Sequence, residues 1–266
     1  MLAQQRQQAI LERVRSSGGV RVADLVRELG VSDMTIRRDL EVLSERGLLE
    51  KVHGGATAAG PGSTEEPGFA AKSARQQPEK EAIARQAALL VRPGTAIALS
   101  AGTTTWTLAH LVVDVPELTV ITNSIRIADV FHRSPRADRT VVLTGGVRTP
   151  SDALVGPVAV AAIRGLHVDT LFLGVHGMSA RAGFTTPNLL EAETNRELVA
   201  SAHRLVVPAD HSKWDTVGIS TIAALSEAHV VISDSGLPEE AREELSAQAG
   251  ELIIVTPQPE GQVAER

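Results

Sequence analysis

The stretch VSDMTIRRDL, at residues 31–40, decides the fold of the first part of this chain. Ser32 can accept a backbone N–H as the N-cap of a helix that runs on to Gly47. The apolar residues that recur at helical spacing on its inner face are Ile36, Leu40 and Leu43. The polar residues left on the outer face are Asp33, Thr35, Arg37 and Arg38. The pattern predicts an amphipathic helix with a basic, solvent-facing side.

Two shorter helices are predicted just before this one. Residues 6–16 place Ile10 and Val14 four positions apart and stop before Gly18, which is typical of a short amphipathic helix. Apolar residues at positions i, i+3, i+4 and i+7 then follow at Val22, Leu25, Val26 and Leu29. Gly30 can take the positive φ that ends a helix and turns the chain sharply. Two helices joined by such a turn fit the helix-turn-helix, whose second helix lies in the major groove of DNA.

The candidate DNA contacts lie in the first turns of the helix that begins at Ser32. Arginine can bind O6 and N7 of guanine, threonine can contact a thymine methyl group or a phosphate, and a helix N-terminus favours a phosphate. Because Arg37 and Arg38 are adjacent, at most one of them points straight into the groove while the other binds a phosphate. The sequence leaves open which one does so. The candidates in this helix are Ser32, Asp33, Thr35, Arg37 and Arg38.

A wing is predicted directly after this helix. The stretch LLEKVHGGAT, at residues 48–57, is typical of a short strand, a tight Gly-Gly turn and a returning strand. It would bring Lys51 and His53 near DNA. An ordinary three-helix bundle with solvated arginines, or a module that uses this fold for protein contacts, would show the same periodicity.

The N-terminal residues also resemble a known family. RQQAILERV, at residues 6–14, and VADLVRELGVSDMTIRRDLEVLSERGLLEKVHGGA, at residues 22–56, resemble the N-terminal domain of the DeoR family of bacterial transcription regulators. The string VSxxTIRRDL carries the resemblance, together with the upstream Arg-x3-Ile-x3-Val pattern and the final HGGA. The resemblance implies a winged helix-turn-helix that binds double-stranded operator DNA.

The charge of the chain is divided unevenly between its two parts. The net charge is -6, of which residues 1–56 carry +1 and the remainder -7. Attraction to DNA phosphates depends on local charge, so a weakly cationic N-terminal part followed by an acidic remainder is compatible with DNA binding. The charge gives no independent support for it.

Composition excludes several other classes of protein. The chain has no cysteine, which excludes disulfides and thiolate metal or redox sites, and its histidines lack ligand spacing such as HExxH. We therefore expect no metal and no cofactor. No apolar run approaches the roughly 18 residues of a membrane span, and the start MLAQQRQQ lacks the order of a signal peptide. We expect a soluble, cytoplasmic protein without a membrane partner.

Residues 54–68, GGATAAGPGSTEEPG, separate two domains because they are rich in Gly, Pro, Ser and Thr and have almost no apolar bulk. The chain is therefore predicted to divide into four parts. These are a winged helix-turn-helix at 1–57, a linker at 58–76, an α/β domain at 77–256 and a flexible tail at 257–266.

The larger domain is predicted to have an α/β fold, because apolar strands alternate with helical stretches. The predicted strands are 95–99, 118–122, 140–144, 168–174, 204–207, 229–232 and 251–255. The predicted helices are a first one from Pro78, with Ile83, Ala87 and Leu90 inward, and then 103–113, 124–132, 157–165, 189–202, 219–227 and 238–247. This order favours a mostly parallel sheet covered by helices on both faces, with ligands at the carboxyl ends of its strands.

Polar and glycine-rich turns follow four of these strands and are expected to meet at one edge of the sheet. The turn SAGTTT at residues 100–105 offers backbone N–H groups, hydroxyls and a helix N-terminus to an anion. Arginine and lysine can neutralise a phosphate, while asparagine and aspartate can bind sugar hydroxyls. The candidates are Ser100, Gly102, Thr103, Thr104, Thr105, Asn123, Gly145, Gly146, Arg148, Asp210 and Lys213. The alternatives are a simple capped turn at residues 100–105 and a local surface pair of Asp210 with Lys213. Nucleotide binding has little support, because the turn lacks both nucleotide-binding fingerprints, GxGxxG and GxxxxGK[ST].

Residues 75–235 extend the family resemblance to the second domain. The motifs GTTT, TNSIRIA, LTGG, VDTLFLG and DHSKW resemble the effector domain of the DeoR family, which is related in fold to ribose-5-phosphate isomerase and coenzyme A transferases. The resemblance implies a site for a phosphorylated sugar or related metabolite, lined by Gly102, Thr103, Thr104, Asn123, Gly145, Gly146 and Lys213. Many family members have an aspartate two residues before the glycine of this turn, where this chain has Ser100. Loss of that carboxylate should alter the recognition of ligand hydroxyls.

A sugar-phosphate isomerase with a DNA-binding head is the alternative from another class. Isomerisation needs a carboxylate near the substrate carbon, and residues 175–179, after the strand VDTLFLG, contain no acid. Glu191 and Glu193 lie in the first turn of a predicted helix, where acids favour the helix dipole. We therefore expect a repressor without catalytic residues. A homo-oligomer, dimer or tetramer, would place its recognition helices on an operator and release it when the metabolite binds.

Overall fold

A computed structural model of the chain describes residues 3–17, 19–45, 48–52, 54–58 and 68–257. The chain forms two compact units, residues 1–62 and residues 63–266, which we call the N-terminal unit and the C-terminal unit. In the described part of the chain, no helix is long and apolar enough to cross a membrane.

The N-terminal unit combines three helices with a small antiparallel sheet. Its elements are α1 (Ala3–Ser17), β1 (Gly19–Arg21), α2 (Val22–Leu29), α3 (Asp33–Glu45), β2 (Leu49–Val52) and β3 (Gly55–Ala58). The sheet has the order β1-β3-β2, so the predicted wing is present and gains a third strand. β1 was not predicted, because three residues are too few to show an alternating pattern.

The predicted turn between α2 and α3 is confirmed in detail. Gly30 has φ of 64°, and its N–H donates to the carbonyl oxygen of Val26 at 3.0 Å. The backbone N–H of Thr35 donates to Oγ of Ser32 at 3.3 Å, so Ser32 caps α3. The core beneath these helices holds the predicted apolar residues, of which Ile10, Val14, Val22, Leu25, Ile36, Leu40 and Leu43 are buried.

A buried ion pair joins α1 to α3. Asp39, which is 4% exposed, accepts hydrogen bonds from Nε of Arg6 at 2.5 Å and from Nε2 of Gln7 at 3.1 Å. The hydrogen bond with Asp39 raises the pKa of Arg6. The aspartate inside the RRDL string therefore supports the packing of α3, while the two arginines before it remain exposed.

A parallel sheet of seven strands forms the centre of the C-terminal unit, as predicted. Its strands are β4 (Ala96–Leu99), β5 (Thr119–Thr122), β6 (Thr140–Leu143), β9 (Val168–Phe172), β12 (Ala202–Pro208), β14 (Val230–Asp234) and β15 (Leu252–Val255). Their order is β15-β14-β12-β9-β4-β5-β6, and every neighbouring pair is parallel. The shorter strands are β7 (Val147–Arg148), β8 (Leu154–Val155), β10 (Gly177–Ser179), β11 (Gly183–Thr186) and β13 (Ser220–Ala223).

Helices cover both faces of this sheet. They are α4 (Phe69–Ser73), α5 (Gln77–Ala88), α6 (Thr103–Val112), α7 (Ile125–Arg133), α8 (Pro157–Ile163), α9 (Leu189–Ser201) and α10 (Glu239–Gln248). Alternate strand residues point to opposite faces: Ile97 and Leu99 pack with α5, α6 and α7, whereas Ala98 packs on the side of α8, α9 and α10.

Two segments have a secondary structure that differs from the prediction. The predicted helix at 219–227 is instead β13, paired with β11, followed by a 3-10 turn at Leu225–Glu227. Its apolar run is short, and periodicity alone does not separate a short helix from a strand. Within the predicted linker, α4 is a helix because Phe69 is buried against Trp106, with 5.7 Å between the ring centroids.

Candidate DNA-reading helix and candidate effector pocket

The outer face of α3 carries the residues predicted to contact DNA. Ser32, Asp33, Arg37 and Arg38 are exposed, and Thr35 is half-buried. The hydroxyl oxygens of Ser32 and Thr35 lie 2.8 Å apart and are hydrogen-bonded to each other. These five residues therefore share the first two turns of one helix. The hydroxyl groups of Ser32 and Thr35 also take part in the hydrogen bonds of the helix cap.

The two adjacent arginines differ in their surroundings. Nε of Arg37 lies 2.5 Å from Oδ1 of Asp33, and this hydrogen bond raises the pKa of Arg37. Arg38 is exposed and has no ion pair or hydrogen bond within the described part of the chain. Arg38 can therefore reach a DNA group without first breaking a bond within the protein.

Met34 is a residue on this face that the sequence analysis missed. Its side chain is 80% exposed, whereas Ile36 and Leu40 of the same helix are at most 1% exposed. Its position in the first turn of α3, next to the polar candidates, is the signal that was available. An exposed apolar group there can contact a thymine methyl group.

The wing residues are only partly described. Lys51 lies on β2, opposite Ala56 of β3, and Gly54 takes φ of 79° in the turn between the strands. His53 lies outside the described residues. Their contact with DNA stays a prediction.

A cavity lies at the carboxyl ends of three adjacent strands, β4, β9 and β12. Its volume is about 50 Å³, which is space for a group the size of a phosphate rather than a whole sugar phosphate. The residues that line it are Lys72, Gly102, Thr103, Thr104, Gly174, Val175, His176, Thr186, Glu191, Pro208, Ala209 and Lys213. We call this cavity the cradle. It brings together four of the predicted effector residues, Gly102, Thr103, Thr104 and Lys213.

The groups around the cradle favour an anion. Residues 102–104 form the N-terminus of α6, where backbone N–H groups and the helix dipole attract negative charge. Lys213 and Lys72 add two cationic side chains, while Glu191, in the first turn of α9, adds one carboxylate. Lys72 and Glu191 were not among the predicted effector residues.

The side chains of Ser100, Thr105 and Asn123 do not line the cradle, because their polar atoms form hydrogen bonds with the backbone. Oγ of Ser100 accepts the backbone N–H of Gly174 at 2.8 Å, which ties the end of β4 to the loop after β9. Oγ1 of Thr105 donates to the carbonyl oxygen of Ser100 at 2.7 Å. Asn123 accepts from the backbone N–H of Ala101 at 2.8 Å. All three side chains are fully buried, and they shape the loops that line the cradle.

Gly145, Gly146 and Arg148 lie outside the cradle, at the β7–β8 hairpin. A Cβ on Gly146 would lie 2.5 Å from the carbonyl oxygen of Val155, so only glycine fits this close approach. Nε of Arg148 donates to Asp152 at 2.8 Å, and Arg126 pairs with the same carboxylate. Burial acts to raise the pKa of Asp152, but the hydrogen bonds from the two arginines outweigh it and lower the pKa.

Asp210 is fully buried in the turn that follows β12. Its Oδ1 accepts the backbone N–H of Ser212 at 3.1 Å and caps the 3-10 turn His211–Lys213. Its Oδ2 has no hydrogen-bond partner among the described residues. The surface pair with Lys213 is not formed in the described part of the chain, since Asp210 is inaccessible to solvent.

Lys80 of α5 is a third charged residue near the cradle that was not predicted. It is only 4% exposed, and its Nζ donates to the carbonyl oxygens of Lys72 and Arg75. Burial lowers the pKa of Lys80 to about 8, the carboxylate of Asp210 opposes this shift, and the cation of Lys213 adds to it. The available signal was its spacing from Ile83, Ala84 and Ala87, which places a lysine in the buried stripe of the helix.

A larger cleft of about 350 Å³ lies beside the cradle. Thr103 lines both spaces. The other residues of this cleft come from α4, α5 and α6 and include Ser73, Gln77, Lys80, Arg85, Trp106 and His110. Among the described residues, no group of three or more histidine or acidic side chains is placed to hold a metal ion.

Two family models match the chain, one on each unit. The model of the DeoR-like helix-turn-helix domain matches residues 6–61, and the model of the DeoR C terminal sensor domain matches residues 75–235. The first range includes α3, and the second includes every residue that lines the cradle except Lys72.

Three relatives match over nearly their whole length. An uncharacterized HTH-type transcriptional regulator of Escherichia coli, YgbI, is 35% identical over 96% of this chain and 98% of its own. The regulator GlpR of Haloferax volcanii is 36% identical over the same shares. The glycerol-3-phosphate regulon repressor of E. coli is 28% identical over 88% of this chain and 92% of its own.

Solved structures resemble the chain only in part. Ribose 5-phosphate isomerase A of Methanocaldococcus jannaschii is 16% identical, with a TM-score of 0.38, over 52% of this chain and 54% of its own. A translation initiation factor eIF-2B of Pyrococcus horikoshii is 12% identical, with a TM-score of 0.42, over 81% of this chain and 74% of its own. No activity or residue role is transferred from either protein.

Proposed function

The chain belongs to the DeoR family of transcription regulators, and we propose that it represses carbohydrate-metabolism genes and is released from DNA by a phosphorylated metabolite. Its relatives are DNA-binding regulators, so the chain is a regulator and not an enzyme. The alternative of an isomerase with a DNA-binding head is not favoured. We expect the protein to act in the cytoplasm, on double-stranded operator DNA.

The outer face of α3 carries the proposal for DNA reading. Met34, Arg37 and Arg38 project from one exposed side of a helix whose other side is buried. We assign base contact in the major groove to Arg38, because its guanidinium has no partner to give up in the described part of the chain. Asp33 orients Arg37, which then binds a backbone phosphate, while Ser32, Thr35, Lys51 and His53 make supporting contacts.

The cradle carries the proposal for the effector. A helix N-terminus and two lysines face a cavity of phosphate size, which favours a ligand with a phosphate group. Because Thr103 lines both spaces, the rest of the ligand can extend into the larger cleft next to the cradle. One relative is named as the repressor of a glycerol-3-phosphate regulon, which agrees with a small phosphorylated sugar or polyol.

Release from DNA requires a difference in affinity between two states. A ligand that bound the free and the DNA-bound protein equally could not regulate transcription. We propose a homo-oligomer, dimer or tetramer, that places two recognition helices on an operator. Ligand binding then lowers the affinity of the assembly for that operator.

Selection of genomic fragments by the purified protein tests the DNA-binding part of this proposal. The wild type is expected to enrich a small set of fragments that share one sequence pattern. An Arg38→Ala variant is expected to enrich these fragments far less and to lose one base pair of the shared pattern, while its fold is checked by circular dichroism. Equal enrichment of the same fragments by both proteins would show that Arg38 is not the reader.

A further inference from the structure

Residues 68–76, which we call the connector, are the first described residues of the C-terminal unit along the chain. The connector contains α4, and Lys72 of this helix lines the cradle. The carbonyl oxygens of Lys72 and Arg75 accept hydrogen bonds from Nζ of Lys80. One short segment therefore contributes a residue to the lining of the cradle and accepts hydrogen bonds from a buried cation.

Aromatic and polar contacts also hold the connector. The ring of Phe69 meets Trp106 edge to face, and the guanidinium of Arg126 lies 4.2 Å from the centroid of the same ring. Gln76 has φ of 52°, a conformation that is costly for a residue other than glycine. Its Nε2 lies 3.4 Å from Nε2 of His211, in the turn that also holds Lys213. The connector thus ends in a strained residue, next to the turn that supplies a cation to the cradle.

The charge of Lys80 depends on groups near the cradle. A buried ammonium is unfavourable unless it is paired, and the charge of Lys80 is stabilised by the two carbonyl oxygens to which it donates and by the field of Asp210. The positive charge of Lys213 opposes it, as does that of Arg75, while Glu79 supports it. An anion in the cradle would compensate the charge of Lys213 and so favour the ammonium form of Lys80.

We propose that Lys80 is the positioning residue through which an anion in the cradle orders the connector. With the anion bound, Lys80 holds the carbonyl oxygens of Lys72 and Arg75 firmly, and α4 is fixed. Without it, repulsion from Lys213 weakens this hold, and the strain at Gln76 favours release. This inference rests on the proposed effector site, because it needs an anion next to Lys213.

Hydrogen exchange of the full chain, with inorganic phosphate as the probe, tests this inference. Phosphate is raised until binding to each protein saturates, as followed by calorimetry, with chloride at the same ionic strength as the reference. In the wild type, exchange in residues 68–76 is expected to slow by at least about fivefold, the lower end of usual coupling between sites. In Lys80→Met the same segment is expected to show no slowing at saturation. Arg92→Met, which removes an exposed cation just after α5, is expected to respond like the wild type.

The possible outcomes separate this inference from the proposal on which it rests. No binding of phosphate by the wild type would overturn the effector site and the inference together. Binding without slower exchange in the connector would overturn the inference alone. Equal slowing in Lys80→Met would show that the connector responds without Lys80. If Lys80→Met does not fold, Lys80→Gln serves in its place. In either case, unchanged exchange of residues 68–76 in the phosphate-bound wild type would overturn the inference.

Discussion

The outer face of α3 and the strand ends around the cradle use polar side chains in opposite ways. On α3 the predicted DNA contacts remain largely exposed, because they lie away from the buried apolar stripe of the helix. At the ends of the strands, the side chains of Ser100, Thr105 and Asn123 form hydrogen bonds with the backbone and stabilise the loops. A polar residue on an exposed helix is therefore free to recognise a ligand, whereas a polar residue in a buried turn first satisfies the backbone around it.

The largest effect is expected where α3 breaks this rule. Asp39→Ala leaves Arg6 without its partner in a nearly buried ion pair, and we expect a loss of about 3 kcal/mol in the stability of the N-terminal unit. The exposed pair of Asp33 with Arg37 is worth far less, so Asp33→Ala should cost only a small fraction of that loss. Urea denaturation of both variants measures the contrast. Equal losses would show that burial of the pair does not matter.

The two adjacent arginines should differ in their effect on DNA affinity. We expect Arg38→Ala to weaken binding to a selected fragment roughly thirtyfold, as for loss of a base contact, and to abolish discrimination at one base pair. Arg37→Ala should weaken binding to all sequences alike and reduce the dependence of affinity on salt. Fluorescence anisotropy at several salt concentrations separates these results. The assignment fails if Arg37→Ala is the variant that loses discrimination.

A pH effect should distinguish the buried lysine from the exposed ones. The pKa of Lys80 is lowered to about 8 in the folded protein, so between pH 8 and 10 the unfolded chain binds more protons than the folded one. The free energy of unfolding then rises with pH, and the wild type should gain about 2 kcal/mol relative to Lys80→Met over this interval. Chemical denaturation at each pH measures the difference. A constant difference between the two proteins would contradict the lowered pKa.

The smallest effect is expected at Met34. Replacing a contacted thymine by uracil removes only one methyl group, which should weaken wild-type binding about fourfold. Met34→Ala should bind both DNAs with the same affinity, because the partner of that methyl group is gone. A scan of single thymine replacements across the selected fragment identifies the position. If no replacement distinguishes the wild type from Met34→Ala, Met34 makes no such contact.

The sequence predicted the seven strands of the large sheet and the cap and turn of α3, because each follows from a local pattern of apolar residues, glycine and serine. It did not predict that Asn123 bonds to Ala101, or that Lys80 reaches Lys72, because those contacts depend on how distant loops meet. The family resemblance suggested the edge of the sheet at which the cradle lies. The resemblance could not show that Lys213 lines the cavity, whereas Asn123 supports a loop around it.

The most direct test of the central claim is the affinity of the protein for a selected operator fragment with and without a phosphorylated ligand. Fluorescence anisotropy would be recorded for the wild type and Lys213→Ala with glycerol 3-phosphate, fructose 6-phosphate and their unphosphorylated parents. We expect one phosphorylated compound to weaken wild-type binding at least about fivefold, while Lys213→Ala binds DNA normally and fails to respond. A ligand that binds the wild type, as shown by calorimetry, yet leaves its DNA affinity unchanged would contradict the account.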